Sequence, residues 1–243
     1  MEKRSHKVYA EGHRGARALY PENTLLSYRK AMEMGVDAIE FDIWLTADKV
    51  PVLMHDGNAF RTCGVDQDLR DMTLEEVKTL CPSDRKQFAD RFAGQVEIPT
   101  LYELLELRKQ LRPDLLLGVE IKEYTEETVD IAIKALKEYG VFDKCWFYAF
   151  NGRIIRYIKE KYNGRTMGYP DFQMKEFDGY DAYDEMGLSM AIARSEVADV
   201  YISKGLPIHM YCADTEEDVR FCMEKGAALI TANDPTALLE IVK

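Results

Sequence analysis

Short strand-like runs alternate with longer helix-like stretches along almost the whole 243-residue chain. The short runs are rich in β-branched and aromatic residues, whereas apolar residues in the longer stretches recur at helical spacing. This alternation predicts a parallel sheet covered by helices, and over this length its complete form is an α/β protein with a single (β/α)8 barrel of the TIM type. The strand candidates are Val8–Ala10, Asp37–Ile43, Val50–His55, Leu115–Lys122, Lys144–Phe150, Arg165–Tyr169, Leu188–Ile192, Leu206–Tyr211 and Ala227–Thr231.

These nine candidates exceed the eight places of a barrel by one. Between Asp42 and His55 there is no room for a crossover helix, because parallel strands need a connection of about a dozen residues or more. We therefore expect an irregular connection between the second and third strands, and one strand outside the ring. The alternative, an open doubly wound sheet, lacks a glycine-rich phosphate fingerprint after the first strand.

Domain organisation follows from what interrupts the pattern. The polar stretch Gly57–Glu97 has only one short helical pattern and is predicted to be a small insertion after the third strand, overhanging the face on which barrel active sites lie. No linker or low-complexity run divides the chain, so residues 1–243 are predicted to form one domain. Farther along, Arg194–Ser203 is one of the predicted helices.

The composition limits which kinds of molecule the protein can bind. A hydrophobic content of 47% supports a core, and a net charge of −11 argues against nucleic acid or an anionic membrane surface as a partner. Five scattered cysteines without a Cys-x-x-Cys pair argue against a disulfide framework or a zinc ribbon. The N-terminal segment has no apolar core of a secretory signal, and no apolar stretch reaches the length of a membrane span. We expect a cytoplasmic protein with no stable membrane anchor that acts on a small molecule; homo-oligomerisation stays open.

Charged side chains collect at the C-terminal ends of the strand candidates, where a parallel barrel gathers its active site. Residues two apart on a strand share one face, so the charged pairs on the second and fourth strands each point to a single side. Charges in otherwise apolar strands are costly unless they are paired or bound to metal. The residues concerned are His13 and Arg14, Glu40 and Asp42, His55 and Asp56, and Glu120 and Lys122.

Three of these side chains, Glu40, Asp42 and Glu120, are carboxylates on predicted inward faces. Such a set suits one hard divalent cation, Mg²⁺ or Ca²⁺. The structural alternative is a set of buried ion pairs with Arg14 and Lys122. With a divalent ion the three carboxylates carry one net negative charge, and the two cations bring the site to one positive charge, which a singly charged phosphodiester would neutralise.

His13 and His55 are then left for proton transfer, because an imidazole titrates near neutral pH and serves as acid or base. The structural alternative is two histidines that are merely hydrogen-bonded within the fold. His209 lies within a strand candidate and is predicted to be a core residue.

An ordered set of motifs closely resembles the glycerophosphodiester phosphodiesterase family. EGHRG and PENT are followed by VDAIEFDIWLTADKVPVLMHD, IPTLYELLELRK, GVEIK, YAFN and GAALIT, so the resemblance covers nearly the whole chain. It implies a barrel, a divalent metal ion and hydrolysis of glycerophosphodiesters to glycerol 3-phosphate and an alcohol. By position it also implies site roles: His13 and His55 match the acid/base pair, Glu40, Asp42 and Glu120 the metal ligands, and Arg14 and Lys122 residues near the phosphate.

The match weakens towards the C-terminus. The family patterns Ser-Phe-Asn, Trp-Thr-Val-Asn and Thr-Asp-x-Pro are replaced by Ala149-Phe150-Asn151, Tyr211-Cys212-Ala213-Asp214 and Thr231-Ala232-Asn233-Asp234-Pro235. None of these positions is a metal or acid/base position, and they fall where the glycerol or alcohol is expected. Phe150 and Tyr211 both end strand candidates, so we predict that they contact the substrate; the structural alternative is packing within the barrel.

Two further functions remain open from the sequence. A relative that cleaves lysophospholipids would need an apolar acyl groove, for which Gly57–Glu97 is the candidate segment. A catalytically silent phosphodiester-binding protein would have lost a histidine or a metal ligand, and this chain has lost neither.

Overall fold

The computed structural model describes residues 7–243 of the protein, and within them nine strands form one sheet. Eight parallel strands close into a ring because the first strand pairs with both the second and the last. The predicted barrel is therefore confirmed. The strands are β1 (Tyr9–Gly12), β2 (Ala38–Leu45), β3 (Pro51–Leu53), β4 (Leu116–Ile121), β5 (Cys145–Tyr148), β6 (Thr166–Gly168), β7 (Glu185–Ser189), β8 (Ile208–Tyr211) and β9 (Leu229–Ala232).

Helices follow the strands and mostly begin at a residue whose side chain caps the first turn. Thr24, Thr100 and Thr125 each accept a hydrogen bond from a backbone amide three residues on, which satisfies one of the free amides at a helix start. The helices are α1 (Leu25–Met34), α2 (Phe60–Cys63), α3 (Leu74–Val77), α4 (Arg85–Phe88), α5 (Leu101–Leu111), α6 (Glu126–Glu138), α7 (Gly152–Tyr162), α8 (Met190–Ala193), α9 (Ala198–Ile202), α10 (Glu216–Glu224) and α11 (Thr236–Val242), with 3₁₀ turns at Leu69–Asp71, Phe142–Lys144 and Asp171–Gln173.

The two faces of each barrel strand serve different purposes, as β2 illustrates. Ile39, Phe41 and Ile43 are fully buried in the main hydrophobic core. The alternate residues Glu40 and Asp42 belong to the opposite face of the strand, in the barrel interior. The outward-facing apolar residues thus hold the barrel together while the inward-facing ones carry charge.

The strand outside the ring is β3, which pairs antiparallel with β2. Antiparallel neighbours can be joined by a tight turn, so no crossover helix is required. The turn is closed by hydrogen bonds from the Thr46 amide to the Val50 carbonyl and from the Thr46 hydroxyl to Asp48. This explains the irregular connection that the sequence predicts.

The insertion after β3 has a small core of its own. Val52 and Met54 pack with apolar residues of the insertion in a cluster separate from the main core. The cluster consists of Val52, Met54, Ala59, Leu69, Met72, Val77, Leu80 and Ile98. Attached in this way, the insertion reaches the C-terminal face of the barrel through α2.

Two sequence predictions are corrected by the structure. The strand expected at Leu188–Ile192 is β7, three residues earlier, and Met190–Ala193 is helical because the Ser189 hydroxyl caps that turn. The early part of β7 was missed because Glu185 looks like a surface residue, whereas it is buried and paired with His209. The helix expected over Arg194–Ser203 is confined to α9.

Candidate active site

A cavity of about 220 Å³ lies at the C-terminal ends of the barrel strands. Asp42 lies directly beside it, fully buried, with its carboxylate close to those of Glu40 and Glu120. The structure thus places all nine predicted site residues in or beside one cavity. The cavity is lined by the predicted residues His13, Arg14, Glu40, His55, Glu120, Lys122, Phe150 and Tyr211, and by Glu11, Tyr148, Met167, Tyr169, His209 and Thr231.

The turn after β1 shapes one side of the cavity. Arg14 and Gly15 both have positive φ angles, 50° and 86°, so the chain folds back sharply after His13. A Cβ atom on Gly15 would lie 2.4 Å from the Ser27 hydroxyl, which explains the glycine at this position. In this turn the Arg14 amide donates a hydrogen bond to Glu40 Oε2 at 2.9 Å.

The three carboxylates form a compact, buried acidic group. Glu40, Asp42 and Glu120 each offer an oxygen atom within 4.8 Å of the others. Glu40 Oε1 is buried and has no hydrogen-bond partner among the described residues. Burial and the nearby charges of Asp42 and Glu120 raise the pKa of Glu40 well above its usual range. Hard oxygen donors, one of them unpaired, fit a divalent cation.

Two cations partly neutralise this acidic group. Lys122 Nζ lies 2.7 Å from Glu120 Oε1 and 3.3 Å from Asp42 Oδ1, and Arg14 Nε lies 3.2 Å from Asp42 Oδ2. Burial alone would raise the pKa of Asp42, but Lys122 and Arg14 hold it well below its usual range. The ion pairs that the sequence offered as an alternative therefore exist beside the acidic group, and none of these pairs includes Glu40.

The PENT segment, residues 21–24, makes hydrogen bonds to Asp42 and to Arg14 next to the acidic group. The Asn23 side-chain amide donates to Asp42 Oδ2 at 2.8 Å, and Glu22 accepts from Arg14 Nη1 at 3.0 Å. Thr24 caps α1. This motif therefore orients the Asp42 carboxylate and Arg14 and does not line the cavity itself.

The two histidines face the cavity with different partners. His13 Nδ1 lies 2.7 Å from the side-chain oxygen of Asn233, and its Nε2 lies 3.8 Å from Glu40 Oε2. Burial and the neighbouring Arg14 guanidinium lower the pKa of His13 to about 3. This histidine is thus held neutral beside a neutral amide.

The partner of His55 is instead a carboxylate. Its Nδ1 lies 2.6 Å from Asp56 Oδ1, and Arg61 from α2 donates to Asp56 Oδ2 at 2.5 Å and to Glu22 Oε1 at 2.6 Å. The hydrogen bond to His55, together with Arg61, keeps the pKa of Asp56 well below its usual range. These hydrogen bonds fix the orientation of the His55 ring, with Nδ1 bonded to Asp56.

Aromatic rings form the remaining wall. The Phe150 ring stacks on that of Tyr169 with centroids 3.7 Å apart, and Tyr211 meets Tyr169 edge-on at 5.7 Å. The structure thus places the two predicted substrate-contact residues, Phe150 and Tyr211, on one continuous apolar surface with Tyr169.

Sequence reasoning missed the polar residues beneath the cavity. Tyr148 and Thr231 donate hydrogen bonds to the buried Glu11 carboxylate at 3.0 and 2.7 Å. His209, predicted as core, is indeed buried and pairs with Glu185, but it also borders the cavity. The period-two spacing of Tyr9 and Glu11 was the only available signal for Glu11, and the predicted strand ended one residue too early to use it.

Comparisons with known proteins identify the family of this chain. A sequence profile of the glycerophosphoryl diester phosphodiesterase family matches residues 13–237. The chain belongs to this family. It is accordingly a phosphoric diester hydrolase of the glycerophosphodiester phosphodiesterase type, and the family assignment drawn from the sequence motifs is confirmed.

Relatives within the family match over the full length. A glycerophosphodiester phosphodiesterase of Caldanaerobacter subterraneus subsp. tengcongensis is 29% identical over 98% of both chains. A putative glycerophosphoryl diester phosphodiesterase from Silicibacter pomeroyi has the same fold, with a TM-score of 0.83 at 22% identity over 98% of this chain and 94% of that one. An Oleispira antarctica phosphodiesterase solved in complex with the product sn-glycerol-3-phosphate gives a TM-score of 0.81 at 22% identity over 96% of each chain. No helix in the described part of the chain is long and apolar enough to cross a membrane.

Proposed function

We propose that this member of the family hydrolyses glycerophosphodiesters to glycerol 3-phosphate and an alcohol, using one divalent metal ion and a pair of histidines. The observation that carries the proposal is the meeting of His13, His55 and the three carboxylates around one cavity. The product bound in the Oleispira antarctica relative, sn-glycerol-3-phosphate, agrees with the proposed product class.

Glu40, Asp42 and Glu120 would hold the metal ion. Their fit rests on the carboxylate oxygens within 4.8 Å of one another and on the unpaired Oε1 of Glu40. Oxygen donors alone favour Mg²⁺ or Ca²⁺ over zinc. When bound there, the ion would supply positive charge to the phosphoryl oxygens as negative charge develops on them.

His13 and His55 divide the proton transfers. Nε2 of His13, beside the acidic group, accepts the proton from the attacking hydroxyl, which belongs to water or to the glycerol of the substrate. A bond forms between that oxygen and phosphorus as the bond to the leaving alcohol breaks. Attack by water gives glycerol 3-phosphate directly, whereas attack by the glycerol hydroxyl gives a cyclic phosphate, which a second displacement by water opens to glycerol 3-phosphate. His55, which is hydrogen-bonded through Nδ1 to the Asp56 carboxylate, gives its proton to the leaving oxygen.

Arg14 and Lys122 bind the phosphate. Arg14 is buried and Lys122 half-buried next to the carboxylates, and in a site largely shielded from water their charges act strongly on an anion. Phe150 and Tyr211 offer apolar surface to the carbon skeleton of the glycerol or the alcohol.

The lysophospholipid alternative finds no support in the cavity. None of its lining residues comes from the insertion, residues 57–97, which was the candidate for an acyl groove. A volume of about 220 Å³ suits a short, polar diester better than a long acyl chain.

Metal dependence tests the proposal. EDTA should abolish release of glycerol 3-phosphate from glycerophosphocholine, and Mg²⁺ or Ca²⁺ should restore it. Either ion should also raise the melting temperature, because a ligand that binds only the folded state stabilises it. Glu40→Gln should lose both responses, whereas the exposed control Glu33→Gln should keep both. Full activity of metal-stripped protein would refute the metal part of the proposal.

A further inference from the structure

We infer that Asn233 and Asp214 form a positioning pair that fixes the tautomer of His13, so that its Nε2 faces the cavity without a proton. The inference deepens the proposed function, in which this nitrogen accepts the proton from the attacking hydroxyl.

The pair and His13 lie at the ends of three neighbouring strands. His13 follows β1 and Asn233 follows β9, which pairs with β1, while Asp214 follows β8 on the other side of β9. Because all three strands are parallel, their C-terminal ends meet on the same edge of the barrel. Residues far apart in sequence are thereby placed in a row that ends at the cavity.

Asp214 fixes the orientation of the Asn233 amide. Asp214 Oδ2 lies 2.7 Å from Asn233 Nδ2, and a carboxylate accepts hydrogen bonds only, so the amide nitrogen must point towards it. Asp214 Oδ1 is itself held by the backbone amides of Asn233 and Asp234, at 2.6 and 3.2 Å. The amide oxygen of Asn233 is therefore left to face His13.

This orientation decides where the His13 proton lies. The Asn233 oxygen, 2.7 Å from Nδ1, accepts only, so Nδ1 must carry the hydrogen. In a neutral ring Nε2 then has a free lone pair. Its distance of 3.8 Å from Glu40 Oε2 is too long for a hydrogen bond, which agrees with a nitrogen that has no proton to donate.

Cys212 makes the role of Asn233 necessary. Its sulfur lies 3.3 Å from the same Nδ1, and burial raises the pKa of the thiol to about 12, so the sulfur keeps its proton. Without the Asn233 oxygen, the thiol would donate to Nδ1 and the ring would carry its proton on Nε2. In that tautomer His13 has no lone pair towards the cavity.

Cys212, Asp214 and Asn233 all lie in segments where the chain departs from the family patterns. The sequence linked these departures to the glycerol or alcohol. The structure instead places these three residues in a row beside His13.

Nitrogen NMR of protein labelled with ¹⁵N-histidine tests the inference directly, since the chain has four histidines to assign. The wild type should show His13 as the Nδ1–H tautomer, and Asn233→Ala should shift it towards Nε2–H. The double variant Asp214→Asn/Asn233→Asp keeps an acceptor at Nδ1 and should keep the hydrogen on Nδ1. An Nε2–H tautomer in the wild type, or no change in Asn233→Ala, would overturn the inference.

Kinetics provide the second arm. Asn233→Ala should lower kcat about 10- to 100-fold with KM nearly unchanged, the usual cost of losing a partner that orients an active group. Asp234→Ala is the matched control, because its side chain caps the neighbouring Thr236 and does not touch His13.

In Asp234→Ala, kcat should stay at the wild-type value. An equal loss of kcat in this control, or a loss in Asn233→Ala that appears only in KM, would contradict a positioning role. Failure of the proposed function is distinguishable, because wild-type protein without diesterase activity would leave the tautomer measurement standing.

Discussion

His13 and His55 reach one cavity from different parts of the fold. His13 follows barrel strand β1 and pairs with the neutral amide of Asn233, whereas His55 follows β3, outside the ring, and pairs with the carboxylate of Asp56. An amide partner gives no charge to stabilise an imidazolium, but a carboxylate does. Under the proposed function, this contrast assigns opposite proton transfers to the two rings.

The supports also differ in how they are anchored. The partners of His13 lie at the ends of barrel strands, while the support of His55 depends on Arg61, which comes from the insertion. The same arginine also holds Glu22, the partner of Arg14. The insertion is therefore part of the site through one side chain.

The largest expected effect comes from removing either ring. His13→Ala and His55→Ala should each lower kcat by about 10²–10⁴, the usual range for a general acid or base. Neither ring belongs to the acidic group, so the rise of the melting temperature with Mg²⁺ should persist in both variants. Loss of that rise in either variant would indicate that the histidine is a metal ligand and not an acid or base.

A smaller effect should follow when the anchor of His55 is cut. Arg61→Ala frees Asp56 and is expected to lower kcat about tenfold, as is common for residues that orient an active group. Steady-state kinetics should be compared with Arg70→Ala, which removes another arginine of the insertion, one that pairs with Glu123 away from His55. Similar losses in both variants would mean that the insertion acts only through stability.

The smallest effect concerns acid stability. The pKa of Asp56 lies below its unfolded value of about 3.9, so its charge stabilises the folded state above that pH, and the contribution disappears as pH falls through the lower folded pKa. Urea unfolding in EDTA should show wild type more stable than Asp56→Asn at about pH 5.5, with the difference shrinking towards about pH 3. A difference that is constant over this range would contradict a charge-based support.

The positions of many site residues could be predicted from the sequence, because strand geometry fixes where they point. Glu40 and Asp42 are two residues apart in an apolar strand, and a barrel turns that spacing into two inward carboxylates. Because parallel strands end on one face, charged residues after different strands could be predicted to meet. That is why nine site residues were brought together as expected.

The rest depended on contacts that no local pattern encodes. Arg61 reaches Asp56 only because the insertion packs its own core, and Asn233 meets His13 across 220 positions of sequence. Glu185 concealed the start of β7, since its pairing with His209 removes the cost that burial of a charge would otherwise impose. Such residues are recognised from side-chain geometry and not from spacing.

The central claim is that His13 takes a proton and His55 gives one, and the dependence on the leaving group tests it most directly. Turnover by wild type, His13→Ala and His55→Ala should be measured on glycerophosphocholine and on a glycerophosphodiester whose leaving group is a nitrophenol, which departs without protonation. The loss in His55→Ala should shrink by about tenfold or more on the nitrophenol substrate, because a good leaving group needs little general acid catalysis. The loss in His13→Ala should be the same on both substrates. The proposed roles would be contradicted if His55→Ala lost the same turnover on both substrates. They would also be contradicted if the loss in His13→Ala, and not in His55→Ala, became smaller on the nitrophenol substrate.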